Sequence, residues 1–201
     1  MFELFKEYLL RQVTLTDQEL EMIRSASMPK KLRKKQYLLQ EGEVAKYQAF
    51  VCKGFLRMYG IKDDGSEYIL RFAPENWWIT DTKSFDSGHP TTANIDAIED
   101  SEVLLWPKAG FDQLSIDIPA FKAWREKMIE KHINAQQARI NSNISQTTEE
   151  KYIHFIKSFP SIYNRVPLHM VASYLGLSAK TLVRIRQQFA VPKAANDVQE
   201  Q

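Results

Sequence analysis

From Ser178 to Phe189 the chain reads SAKTLVRIRQQF, with three cations (Lys180, Arg184, Arg186), the hydroxyls of Ser178 and Thr181, and no acid. These residue types bind nucleic acid. Lysine, serine and threonine hold phosphate oxygens, and an arginine can fork onto the O6 and N7 acceptors of guanine. The residues upstream supply a frame for such a face. In Pro167–Phe189, Val171, Leu175, Leu177, Leu182 and Ile185 are apolar, as two short helices packed at a steep angle require. Ala172 is small where they would cross, and Gly176 stands where the chain must turn left-handed. This spacing predicts a helix-turn-helix whose second helix, capped by Ser178, enters the major groove of double-stranded DNA. Arg184 is the candidate guanine reader, with Ser178 and Thr181 on phosphates. A plain helical hairpin with a solvated basic face is the competing reading. The register of five apolar positions with the alanine and the glycine favours DNA.

Elsewhere the sequence offers little chemistry. Its four histidines (His89, His132, His154, His169) lack metal-ligand spacing, and Cys52 is the single cysteine. One cysteine excludes an internal disulfide and a cysteine-ligated iron–sulfur cluster within one chain. No metal and no cofactor are expected. An enzyme on a cupin-like barrel is disfavoured, because the barrel region holds one histidine and no His/Glu cluster. Net charge is only +2, so any signal for nucleic acid must be local. The basic run Lys30, Lys31, Arg33, Lys34, Lys35 has no aromatic platform and reads as a solvated lead-in to a strand. The N-terminal MFELFKEYLLRQ carries acids among its apolar residues and is neither a signal peptide nor a membrane span; a cytoplasmic protein is expected.

The elements that must position the basic helix follow in order. Helical spacing covers Phe2 to Arg11, and Thr16 with Glu19 forms a capping box opening a helix to about Ala26. From Gln36 to about Trp106 short β runs alternate with turns, among them a hairpin centred on Asp64-Gly65, in which Tyr68, Leu70 and Phe72 alternate against Glu67, Ile69 and Arg71. This is the pattern of a small antiparallel barrel or jelly roll. Pro119 opens a helix to about Ile144 with two apolar stripes: Phe121, Trp124, Met128, Ala135 and Ala138, and well around the cylinder Ile129, Ile133, Ile140 and Ile144. Two stripes imply two partners, the chain's own β domain and a second copy of the helix in a homodimer. Thr147 caps a further helix, with Tyr152, Phe155, Ile156 and Phe159 apolar, that ends at Pro160.

Together these predict an α+β chain with four parts. They are an N-terminal antiparallel β-roll with flanking helices (1–118), a long dimerisation helix (119–145), a helix-turn-helix domain (146–190) and a disordered tail (191–201). The order resembles the Crp/Fnr family of bacterial transcription regulators over nearly the whole chain. The residues that carry the resemblance are Phe50-Val51-Cys52-Lys53-Gly54-Phe55-Leu56-Arg57, Phe72-Ala73-Pro74-Glu75-Asn76-Trp77-Trp78, and Val166-Pro167 through Arg186. The Trp-Trp segment is similar to the branch common in Bacteroidetes-type bacteria. The resemblance implies a cyclic-nucleotide-binding-type β-roll, a dimer, a palindromic operator and RNA polymerase as a partner.

It also marks departures. Members that bind cyclic AMP carry a Gly-Glu pair and, some ten residues on, an Arg followed by Ser or Thr. Aligned here, Thr80-Asp81 stand at the first pair and Thr91-Thr92 at the second. Asp81 retains a carboxylate for a hydroxyl. Thr91 has neither charge nor fork for a phosphate, a loss of roughly 2–5 kcal/mol. Gating by cyclic AMP in the usual way is therefore not expected. Trp77, Trp78, Asp81, Thr91 and Thr92 are the candidate effector pocket, either for an unknown small molecule or filled by its own aromatics. At the DNA end Lys180 replaces an acid, so the operator should differ from the usual one, and no C-terminal β wing is expected. A β-roll sensor whose helix-turn-helix binds protein instead of DNA is the alternative function.

Overall fold

The computed structural model describes residues 1–160 and 165–189. In chain order the elements are α1 (Phe2–Leu10), α2 (Asp17–Ser25), β1 (Met28–Leu32), β2 (Tyr37–Leu39), β3 (Tyr47–Lys53), β4 (Leu56–Ile61), β5 (Glu67–Ala73), β6 (Trp78–Ile79), α3 (Thr82–Ser87), β7 (Asn94–Ala97), β8 (Ser101–Pro107), α4 (Lys108–Asp117), α5 (Pro119–Ser145), α6 (Thr148–Ser158), α7 (Leu168–Leu175) and α8 (Ala179–Phe189). The strands form two four-stranded antiparallel sheets, ordered β1-β8-β3-β6 and β2-β7-β4-β5. They make the expected β-roll. The chain divides into two compact units, Met1–Ala138 and Arg139–Gln201, with the division inside α5. The disordered tail expected for 191–201 lies outside the described residues.

In the first unit, strands β3 and β8 are apolar at consecutive positions because each of their faces is buried. Ala49, Val51, Val103 and Leu105 point between the two sheets, where they meet Leu39, Leu56, Ile79, Phe85 and Ile95. Their neighbours Phe50, Cys52, Leu104 and Trp106 point the other way, into a core built with α1, α2, α4 and the start of α5 through Phe5, Ile23, Phe111, Phe121 and Trp124. The rings in this second core stack tightly: Phe5 lies 4.7 Å from Trp106 and 5.0 Å from Phe50. The indole N–H of Trp106 donates to the Ile23 carbonyl at 3.1 Å, which ties the end of α2 to the sheet. Burial pushes the Cys52 thiol up to about 11, so it behaves as an inert apolar group.

Short-range signals set the helix ends. Thr16 accepts from the Glu19 N–H while the Glu19 carboxylate accepts from the Thr16 N–H, the reciprocal capping box read from the sequence. Those bonds hold the Glu19 carboxyl below the usual carboxylate range. Thr147 and Glu150 repeat the arrangement at the start of α6.

Several details differ from the sequence-based expectation. The basic lead-in is itself a strand: β1, with Pro29, Lys30 and Lys31, pairs with β8 at the edge of its sheet, a place where proline is tolerated. The alternation expected along β5 fails because the β4–β5 register shifts between Met58 and Tyr59. The extra residue reverses the facing, so Ile69 is buried and Tyr68 and Leu70 are exposed. On α5, Phe121, Trp124 and Met128 pack on the first unit's core, but Ala135 and Ala138 are exposed, so that stripe stops after Met128. Ile129, Ile133, Ile140 and Ile144 are 46%, 51%, 57% and 80% exposed. Among the described residues no helix is long and apolar enough to cross a membrane.

Charge inside the roll is fully engaged. Arg57 on β4 stands opposite Asp96 on β7 and forks onto its carboxylate at 2.8 and 3.0 Å, while its other edge reaches Glu67. The guanidinium also covers the Tyr59 ring at 4.0 Å. These bonds outweigh the desolvation that burial imposes and raise the Arg57 pKa further. His132 on α5 shows the opposite case. Burial and the positive charge of Arg71 push its imidazole down to about 4.

Candidate nucleic-acid interface

The second unit is organised around the junction of α7 and α8. Pro167 stands at the N-terminus of α7, a position where its missing N–H costs nothing. At the other end Gly176 adopts φ 68°, and Leu177 N–H bonds back to the Ala172 carbonyl at 2.8 Å. A side chain at Gly176 would meet open space, so glycine is favoured here for its backbone conformation alone. Val171, Ala172, Leu175, Leu182 and Ile185 are buried together, as the spacing predicted. Leu177 is only half-buried. Beneath them α6 contributes Tyr152 and Phe155. The ring of Tyr174 lies against Phe155 and Phe159 and under the Arg139 guanidinium at 4.0 Å, and Arg139 also donates to the Tyr174 carbonyl at 3.0 Å.

This packing fixes the faces of α8. With Leu182 and Ile185 inward, about 100° per residue places Lys180, Val183, Arg184 and Gln187 on one contiguous outer face. All four are exposed. Thr181 lies at the edge of that face and is half-buried. Ser178 caps the helix, accepting from the Thr181 N–H at 3.0 Å and sharing a hydroxyl bond with Thr181 at 2.8 Å. Arg186 is exposed but projects about a third of a turn from Lys180. The structure thus brings Lys180 and Arg184 together, puts Ser178 and Thr181 at the helix start, and sets Arg186 apart. Sequence reasoning passed over Val183. Its signal was an apolar residue on the polar side of the helix, and it is 42% exposed. A methyl-bearing side chain there can meet a thymine methyl. A carboxylate from outside the helix also reaches this face: Glu149 of α6 lies 3.9 Å from an Arg184 Nη.

The five residues expected to form an effector pocket do not converge. Trp78 is 7% exposed and faces the helix-side core, with Phe5 at 5.7 Å, Trp106 at 5.2 Å and Trp124 at 5.8 Å. Its indole N–H has no partner. Trp77 and Thr92 are exposed. Asp81 and Thr91 do meet: the Thr91 hydroxyl donates to one carboxylate oxygen of Asp81 at 2.5 Å, and the other oxygen caps α3 by accepting from Ser84 N–H. Thr91, 3% exposed, accepts in turn from Ala93 N–H, and Ser84 bridges the His89 carbonyl and the Ala45 N–H. The loop's polar groups are committed to one another. Among the described residues no group of three or more His, Cys, Asp or Glu side chains is placed to hold a metal ion.

Comparison with known proteins fits this architecture. Residues 29–116 match the cyclic nucleotide-binding domain model. The transcriptional activator protein Anr of Pseudomonas protegens is 22% identical over 169 residues, covering 79% of this chain and 68% of Anr. The structure of FixK2 from Bradyrhizobium japonicum superposes with a TM-score of 0.70 at 19% identity, covering 81% of this chain and 83% of that one. A protein from Eubacterium rectale, described as a crp/fnr-family regulator, superposes with a TM-score of 0.65 at 15% identity over 87% and 83% of the two chains. At such identities the structures speak to fold. The matched β-roll, the related activator and the shared element order agree with the resemblance to the Crp/Fnr family read from the sequence.

Proposed function

We propose that the protein is a DNA-binding transcription regulator that reads a palindromic operator as a homodimer and is not gated by cyclic AMP in the usual way. The observation that carries the reading is the outer face of α8. Lys180, Val183, Arg184 and Gln187 stand clear of the core on a helix with no acid of its own, held by buried Leu182 and Ile185. Such a face suits the major groove, with Arg184 on guanine and the Ser178–Thr181 end against phosphate. Anr, a transcriptional activator by name, supports the same role. The exposed row Ile129, Ile133, Ile140 and Ile144 supports a two-fold helix pair, since burying each isoleucine fully is worth about 1.5–3 kcal/mol. Against cyclic AMP stands Thr91, uncharged, buried and bonded to the carboxylate expected to hold a ribose hydroxyl.

Selection from a random duplex library by the purified protein tests the reading. Enrichment of a two-fold symmetric sequence is expected, bound with a salt-dependent affinity. Failure to enrich any sequence, with weak salt-insensitive binding to random duplex, overturns it in favour of a protein-binding helix-turn-helix. Calorimetric titration with cyclic AMP is expected to give no heat at millimolar ligand; micromolar binding would refute the account of Thr91.

A further inference from the structure

The acid that meets the recognition face comes from another helix, and its placement is built. Thr147 and Glu150 cap α6 reciprocally and so fix its first turn, in which Glu149 sits. One Glu149 oxygen accepts from the Thr148 hydroxyl at 2.7 Å, and the other faces the Arg184 Nη at 3.9 Å. The Thr148 bond first, with Arg184 adding to it, holds the Glu149 carboxyl below the usual carboxylate range, so it is charged at neutral pH. A carboxylate on a phosphate-seeking surface costs affinity for every DNA sequence. Its position against the central arginine of the reading face gives that cost a use.

We infer that Glu149 is a specificity-determining residue that holds Arg184 for base reading and against phosphate contact. The inference rests on the DNA-reading role of α8 proposed above. A guanidinium has five N–H donors in a rigid fork. Facing guanine, Arg184 can give one edge to O6 and N7 and keep another for Glu149, as Arg57 divides its edges between Asp96 and Glu67. Swinging to a phosphate, it must leave Glu149 behind as an unpaired carboxylate among anions. Specific complexes keep the pair and non-specific ones lose it.

The test compares wild type and Glu149→Gln on two probes, a duplex enriched by the wild-type protein and a pool of random duplex. The capping box is untouched, so melting is expected to be unchanged. Glu149→Gln should tighten binding to random duplex about fivefold and steepen its salt dependence by about one ion, with little change on the enriched duplex. Glu149→Asp, which keeps the charge but draws it back, should fall between. In an Arg184→Ala background the Glu149→Gln change should leave the ratio of the two affinities where it was. Equal tightening on both probes, or an identical effect with and without Arg184, overturns the inference and marks Glu149 as a general surface charge. A wild-type protein that enriches no duplex overturns the DNA reading itself, and this inference with it.

Discussion

Two arginines show how differently the two units use charge. Arg57, in the roll, is buried, with its edges taken up by Asp96 and Glu67 and its face laid on Tyr59. Arg184, on α8, is exposed and meets one carboxylate at 3.9 Å. The same contrast separates Asp81 and Thr91, bonded to each other within their loop, from Lys180 and Gln187 on the open helix face. Polar groups already committed to one another stabilise a fold. Groups held out on a rigid, well-packed frame are available for a partner. The Asp81–Thr91 loop and the outer face of α8 thus stand at opposite ends of this scale.

Breaking the committed side should cost stability first. Asp96→Ala strands the buried Arg57 guanidinium and is expected to lower unfolding free energy by ~3 kcal/mol in a denaturant titration. Thr91→Val removes the Asp81 bond and should cost about 1–3 kcal/mol by the same measurement while leaving DNA affinity at the wild-type value. On the open side the signs exchange. Arg184→Ala should lose about 1–3 kcal/mol of operator binding and relax one base position, with the melting temperature unmoved. Thr147→Ala sharpens the boundary between the two cases, because it removes a cap from the helix that carries Glu149. It should destabilise by about 1 kcal/mol, read from the calorimetric melt of the second unit.

A further effect concerns pH. The unfolded His132 titrates near its ordinary value of 6.5, and the folded one is pushed down to about 4. Protons therefore bind the unfolded state first as pH falls, and this group's share of stability is lost between those two values and is constant below them. His132→Gln should flatten that portion of a stability–pH curve.

Whatever depended on neighbours in sequence was legible beforehand. The Thr16–Glu19 and Thr147–Glu150 boxes, the Gly176 turn, the Ser178 cap and the Pro119 start of α5 are all local chemistry, and each sits where the sequence placed it. What depended on register was not. One shifted pairing between β4 and β5 exchanged the environments of Ile69 and Leu70. Trp78 entered the helix-side core because β6 pairs with β3, placing it beside Phe50. A tryptophan pair alone does not say which side of a strand each ring takes. Arg186 could have been separated from Lys180 and Arg184 by the helical angle. Glu149 could not have been joined to Arg184, since 34 residues lie between them and no periodicity links them.

Strand β1 carries a consequence for how the molecule keeps company. An open sheet margin invites a foreign strand to hydrogen-bond along it, the first step toward fibrils. Here that margin bears Pro29, which has no N–H to offer, beside Lys30 and Lys31, whose charges repel an identical copy of themselves. That edge therefore discourages strand-by-strand growth, and under the dimer proposed above the isoleucine row of α5 is the greasy seam where two copies would meet and stop at two.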